Sequence, residues 1–139
     1  MIIAVDFDGV LCKNRFPQIG EPDYDMISKI RQLSDLGHEM VLWTSRTGQE
    51  LDDAVDWCGD RGLHFCAVNE NAPSNRRKYM MKYPNGTRKA YADLYIDDHN
   101  IEYVRSRALS KLDDIIGHGV VKTSTNSNYT EDEEEGIYE

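Results

Sequence analysis

The stretch that decides the fold reads Ile2-Ile3-Ala4-Val5-Asp6-Phe7-Asp8-Gly9-Val10-Leu11. An apolar run leads directly into an Asp-x-Asp-Gly turn, and such a run is typical of a strand buried on both faces of a parallel sheet. Open α/β sheets bind their ligands outside the carboxyl ends of the strands. The stretch therefore predicts that Asp6 and Asp8 lie where such a fold carries out chemistry, although acidic turns also close strands that have no function.

Three more segments resemble buried strands, and helical patterns separate them. With the first strand at residues 2–6, the others are predicted at 40–43, 65–68 and 94–96. Helices are predicted with caps at Asp23, Thr47 (in the capping-box sequence Thr47-Gly48-Gln49-Glu50) and Asn100, and with stops at Gly37, Gly62 and Gly117. Their apolar stripes are Met26, Ile27, Ile30 and Leu33; Leu51, Ala54, Val55 and Cys58; and Val104, Ala108, Leu112 and Ile115.

Alternating strands and helices predict an α/β protein with a three-layer, Rossmann-like fold. We expect a mainly parallel central sheet, with the strands in the order 3-2-1-4 and helices on both faces. This domain would span residues 1–122, with a short edge strand at 120–121. Residues 123–139 are mostly polar and acidic, which predicts a disordered acidic tail.

Composition limits the class of protein. No apolar run is long enough to span a membrane and no secretory signal is visible, so we expect a cytoplasmic protein with no membrane partner. Its three cysteines lack paired-ligand spacing and are interpreted as reduced thiols. The net charge of −9 argues against general affinity for nucleic acids, yet residues 69–91 carry six Lys and Arg residues against one Glu.

Polar residues of a distinctive kind follow three of the four predicted strands. They are Asp6 and Asp8 after the first, Thr44-Ser45-Arg46 after the second, and Asp97-Asp98 after the fourth. Parallel strands end at one edge of a sheet, so four carboxylates would converge there, which is unfavourable without a cation. Oxygen ligands favour Mg²⁺. Lys89 would add an ammonium nearby, and Thr44 a hydroxyl beside a helix start suited to an anion.

The order of these motifs resembles the haloacid dehalogenase superfamily of phosphohydrolases, over about residues 1–112. The resemblance implies that Asp6 is a nucleophile that becomes an aspartyl-phosphate and that Asp8 is the general acid and base. It implies that Thr44 binds phosphate and that Lys89, rather than the neighbouring Arg88 or Lys82, steadies the phosphoryl group. The implied Mg²⁺ ligands are Asp6, Asp8 (through its backbone carbonyl) and Asp97, with Asp98 as a ligand or a partner of one.

The sequence predicts a small, nearly capless, Mg²⁺-dependent phosphatase, because the resemblance links an acid at Asp8 to hydrolysis of phosphate monoesters. Ser45 and Arg46 are assigned to substrate binding with Thr44 and Lys89, and a surface ion pair is the alternative for Arg46. Tyrosines among the cations of residues 69–91 suit a nucleotide or a nucleic-acid end as substrate. The alternatives are a small sugar or metabolite phosphate, or a non-catalytic phosphate- or protein-binding module with the same fold.

Overall fold

The computed structural model describes residues 1–79, 82 and 88–118 of the chain. In chain order the elements are β1 (Ile2–Val5), β2 (Cys12–Arg15), β3 (Gln18–Pro22), α1 (Tyr24–Asp35), β4 (Glu39–Leu42), α2 (Gly48–Asp60), β5 (Ala67–Val68), α3 (Pro73–Tyr79), β6 (Leu94–Ile96) and α4 (Arg105–His118). Four of the strands form a parallel sheet in the order β5-β4-β1-β6. This is the predicted order 3-2-1-4, so the α/β fold is confirmed.

The layers on the two faces follow from the path of the chain. From β1 the chain moves outward to β4 and β5, and it then returns to β6 on the other side of β1. Right-handed crossovers place α1 and α2 on one face and the β5–β6 connection, with α3, on the other. Two apolar clusters on opposite faces of the sheet agree with this arrangement. Ile3 and Val5 pack with α1, α2 and α4, whereas Ile2 and Ala4 pack with residues that include Ala72. The strand order therefore reverses between β1 and β6. Open α/β sheets bind their ligands at such a reversal.

Helix α1 matches its sequence pattern. The side chain of Asp23 accepts a hydrogen bond from the Met26 N–H at 3.1 Å, which satisfies one of the free donors of the first turn. All four members of the predicted stripe are buried against the sheet. The helix ends before Gly37, whose φ of +93° suits glycine.

The predictions for α2 and α4 need correction. Thr47 is the N-cap of α2, but its side chain makes no capping hydrogen bond. Gly48 has a φ of +55°, so the first turn lacks the geometry of a capping box. Val55 is 38% exposed and lies outside the buried stripe.

Helix α4 starts at Arg105, so Asn100 is not its cap, Val104 precedes it, and the helix continues through Gly117. The Asn100 N–H instead donates to the Asp97 carbonyl at 3.2 Å, and residues 97–104, which begin with the acidic pair, connect β6 to α4.

Other strand boundaries differ by one or two residues. β1 ends at Val5, one residue early, and β5 contains only two residues. The antiparallel β2–β3 hairpin is not among the strands predicted from the sequence. Its polar sequence has no strand periodicity, so the pattern alone does not reveal it. The predicted edge strand at 120–121 and the tail at 123–139 lie outside the described residues.

Candidate active site

An open cleft of about 700 Å³ lies at the carboxyl ends of the parallel strands. The predicted site residues that line it are Asp6, Asp8, Thr44, Ser45, Arg46 and Asp97. They come from segments far apart in sequence, and the parallel sheet brings them to one edge. The fold therefore assembles most of the predicted site at the reversal between β1 and β6.

Asp6 follows β1 directly and is held in place by its backbone. Its N–H donates to the Ile96 carbonyl at 2.9 Å, and its Oδ1 accepts the Phe7 N–H at 2.9 Å. Burial, a hydrogen bond with the Asp98 carboxyl and the charge of Asp97 together raise the pKa of Asp6 to about 8. Asp97 and Asp98 thus lie close enough to oppose the ionisation of Asp6.

The end of β6 offers atoms that fit a hard cation. Asp97, Asp98 and His99 each have a potential ligand atom, and these atoms lie within 4.8 Å of one another. Oδ1 of Asp98 is buried and has no hydrogen-bond partner among the described residues. An unpaired buried carboxylate oxygen costs free energy, which a cation would offset. Carboxylate oxygens on Asp6, Asp97 and Asp98 therefore fit Mg²⁺.

Gly9 makes room for the Asp98 carboxylate. Its φ is +87°, and a Cβ atom at this position would overlap the Asp98 carboxylate. The glycine of the Asp-x-Asp-Gly turn is thus required both by the backbone conformation and by the close approach of the β6 turn.

Gly9→Ala should therefore destabilise the protein more than Gly37→Ala does. Gly37 also has a positive φ, but no described atom lies within 4 Å of a Cβ built there. We expect Gly37→Ala to cost about 1–2 kcal/mol from backbone strain, and Gly9→Ala about 1–3 kcal/mol more from crowding. Urea unfolding of both variants without metal measures the difference. Equal losses would contradict the close packing of Gly9 against Asp98.

Thr44 follows β4 and is positioned by Asn69. The Thr44 N–H donates to Oδ1 of Asn69 at 2.8 Å, and Oγ1 of Thr44 accepts the Arg46 N–H at 3.1 Å. The Thr44 hydroxyl can still donate its proton to a ligand in the cleft. Asn69 was not predicted as a site residue, although it directly follows the third strand, as the other site residues follow theirs.

Arg46 differs from both roles predicted for it. It is 2% exposed, so it is not part of a surface ion pair. Its Nε and Nη2 donate to the two carboxylate oxygens of Asp8, each at 2.8 Å. The other three N–H groups donate to the carbonyls of Pro17, Gln18 and Glu50 at 3.1, 3.0 and 3.4 Å. All five donors are engaged, and none remains for a substrate in this arrangement.

Lys89 is not among the residues that line the cleft in the described part of the chain. Its ammonium lies 5.1 Å from the ring centroid of Tyr95, a residue that packs with the second apolar cluster. Asp98 also does not line the cleft, but its carboxyl contacts Asp6. The role of Lys89 in holding a phosphoryl group stays a prediction.

Several lining residues were missed by the sequence reasoning. Asn14 and Phe16 come from the β2–β3 hairpin, which the sequence pattern does not reveal. Trp43, which packs with the second apolar cluster, and His99, whose side chain is 82% exposed, also line the cleft. The lining therefore includes the aromatic side chains of Phe16 and Trp43 beside its carboxylates.

No helix in the described part of the chain has the length and apolar character needed to cross a membrane.

No protein-family model matches the sequence, and the comparison with curated proteins gives no match. Among solved structures, the chain is similar to a conserved protein coded by a locus of Bacteroides thetaiotaomicron. The two are 34% identical with a TM-score of 0.69, over 83% of this chain and 91% of the other. The similarity supports the α/β fold described above.

Proposed function

We propose that this chain, which belongs to the same protein family as the conserved Bacteroides thetaiotaomicron protein, is a Mg²⁺-dependent phosphatase that hydrolyses a phosphate monoester. One observation carries the proposal: two acids two residues apart share a cleft with a threonine hydroxyl and a further carboxylate. A binding module would need no nucleophile beside a proton-transfer group. This arrangement therefore favours a reaction over binding alone.

Asp6 and Asp8 would divide the chemistry between them. The Asp6 carboxylate attacks phosphorus, and the bond from phosphorus to the leaving oxygen breaks while Asp8 gives that oxygen a proton. Water then attacks the aspartyl-phosphate, Asp8 takes a proton from the water, and phosphate leaves with Asp6 restored. The Thr44 hydroxyl would donate a hydrogen bond to a phosphoryl oxygen.

The metal would be held by carboxylate oxygens of Asp6 and Asp97, with Asp98 as a ligand or as a partner of Asp6. The backbone carbonyl of Asp8 is the remaining candidate ligand. Bound Mg²⁺ would offset the negative charge of the phosphoryl oxygens. The crowding of the three carboxyl groups and the unpaired oxygen of Asp98 are the observations that support a cation here.

For the substrate, we propose a nucleotide or a polynucleotide phosphate end. Phe16 is 60% exposed and lines the cleft, and Trp43 lines it too, so aromatic faces are available to a planar base. A small sugar or metabolite phosphate is the alternative. The cytoplasmic location expected from the sequence stays a prediction.

A phosphate-release screen with Mg²⁺ tests both parts of the proposal. We expect turnover of mononucleotides or 3′-phosphorylated oligonucleotides with a higher kcat/KM than that of sugar phosphates, because stacking of one base contributes about 1–3 kcal/mol. A clear preference for sugar phosphates would overturn the substrate class alone. If the protein hydrolyses no phosphate ester in the presence of Mg²⁺, the proposed phosphatase activity is wrong.

A further inference from the structure

We infer that Arg46 is a positioning residue for proton transfer. Its side chain fixes the Asp8 carboxyl and the β2–β3 hairpin in one arrangement beside the cleft. The inference rests on the proposed function, because it assigns to Asp8 the transfer of a proton to the leaving group. Arg46 itself would touch neither the reacting phosphoryl group nor the metal.

The guanidinium joins three separate parts of the chain. One edge forms two parallel hydrogen bonds with Asp8, in the turn after β1. The remaining N–H groups bond to backbone carbonyls of Pro17 and Gln18 at the hairpin, and of Glu50 in the first turn of α2. Movement of Asp8 away from this position would break two charge-assisted hydrogen bonds and leave the buried guanidinium without them.

Aromatic rings restrict the guanidinium further. Its central carbon lies 5.0 Å from the ring centroid of Phe7 and 5.1 Å from that of Phe16. Both distances are within the range of a cation–π contact. The Phe7 ring is buried in the core, so one side of the Arg46 site is set by packing. The planar fork of arginine fits such a site in a way that the single ammonium of lysine does not.

Asp8 stays able to act while it is held. Each of its carboxylate oxygens accepts one hydrogen bond from Arg46, which leaves a second lone pair on each oxygen. The Asp8 side chain is 16% exposed and lines the cleft, so those lone pairs have access to a substrate. Fixing the orientation of a general acid in advance lowers the cost of reaching the transition state.

A purely stabilising role explains the buried Arg46–Asp8 ion pair less well than a positioning role does. Buried ion pairs often contribute little to stability compared with apolar residues of similar volume. The chain also has a second bidentate pair, in which Arg105 holds Asp23 at 2.6 and 2.8 Å. Arg105 is about half exposed, Asp23 caps α1, and neither residue is in the described lining of the cleft. The Arg105–Asp23 pair provides a matched control for the chemistry of the Arg46 pair.

Phosphate esters whose leaving groups differ in basicity distinguish a positioning role of Arg46 from a purely structural role. An alkyl phosphate such as glycerol 3-phosphate requires a proton on its leaving oxygen, whereas p-nitrophenyl phosphate has a leaving group that departs readily without one. With Arg46→Lys we expect kcat/KM, which covers the steps through departure of the leaving group, to fall about 100-fold for the alkyl ester and less than about 10-fold for the aryl ester. Asp8→Asn should show the same selective loss of kcat/KM, and Arg105→Lys should leave kcat/KM for both esters unchanged.

Arg46→Gln is assayed in parallel, so that a folded variant is available if the lysine variant does not fold, and circular dichroism confirms the fold of each. Equal losses for both esters would overturn the inference and make Arg46 a structural residue. An equal rise in KM for both esters with unchanged kcat would also overturn it and make Arg46 a substrate-binding residue. A wild-type protein that turns over neither ester with Mg²⁺ would overturn the proposed function, and the inference with it.

Discussion

Asp6→Asn is expected to lower Mg²⁺-dependent phosphate release by a factor of about 10³ or more, because the amide cannot form a bond to phosphorus as the carboxylate does. Asparagine has nearly the same shape as aspartate, and its side-chain oxygen can still accept the Phe7 N–H. Loss of the fold would therefore not explain the loss of activity. Initial rates at saturating substrate measure the effect on kcat.

The same variant should be more stable than the wild type when no metal is present at about pH 8 or above. Asp6 has a raised pKa because it lies buried beside Asp97 and Asp98, so its ionised form opposes folding. Removing that charge relieves the repulsion. A variant that is inactive but more stable is typical of a site whose groups are arranged for function rather than for folding.

Asp35→Asn is the matched control, because Asp35 is an exposed acid at the end of α1. We expect its kcat to equal that of the wild type. Activity in Asp6→Asn within a few-fold of the wild type would contradict a nucleophilic role for Asp6. A metal-free Asp6→Asn protein that is less stable than the wild type would contradict the repulsion among the three carboxyl groups.

The sequence predicted the strand ends well because one physical pattern controls them. Buried parallel strands need continuous apolar residues, and the first polar residue after each run marks the edge of the sheet. The apolar runs alone therefore predict that Asp6, Thr44 and Asp97 lie near one another. The strand order also followed, because right-handed crossovers permit few arrangements of four alternating strands.

The surroundings of those residues were harder to predict, because they depend on contacts between distant segments. No local pattern shows that the Arg46 side chain turns inward to meet carbonyls of a hairpin about 30 residues earlier in the chain. Nor does spacing show that the Lys89 ammonium lies 5.1 Å from the centre of the Tyr95 ring. Such side-chain directions are decided by tertiary packing and by unpaired backbone acceptors, not by residue order.

Removal of Mg²⁺ is expected to abolish turnover and to make the free energy of unfolding fall as the pH rises from about 4 to about 8. The pKa of Asp6 is raised from 3.8 to about 8 in the folded protein without metal. Over this interval the folded protein retains a proton that the unfolded chain has released. Stability therefore decreases with rising pH, since the folded state binds more protons. The pKa of Asp23 is lowered by Arg105, so that group acts in the opposite direction at lower pH.

Mg²⁺ should reverse this loss, because it binds the ionised carboxylates. At about 100 times its dissociation constant it adds about 2.7 kcal/mol to the free energy of unfolding, and that gain should be largest near the top of the pH interval. Urea unfolding at several pH values, with Mg²⁺ or with chelator, measures both effects. In Asp6→Asn the decline of stability with pH should be reduced. A Mg²⁺ effect of equal size at about pH 5 and about pH 8, or an unchanged decline in that variant, would show that Asp6 does not share a cation with Asp97 and Asp98.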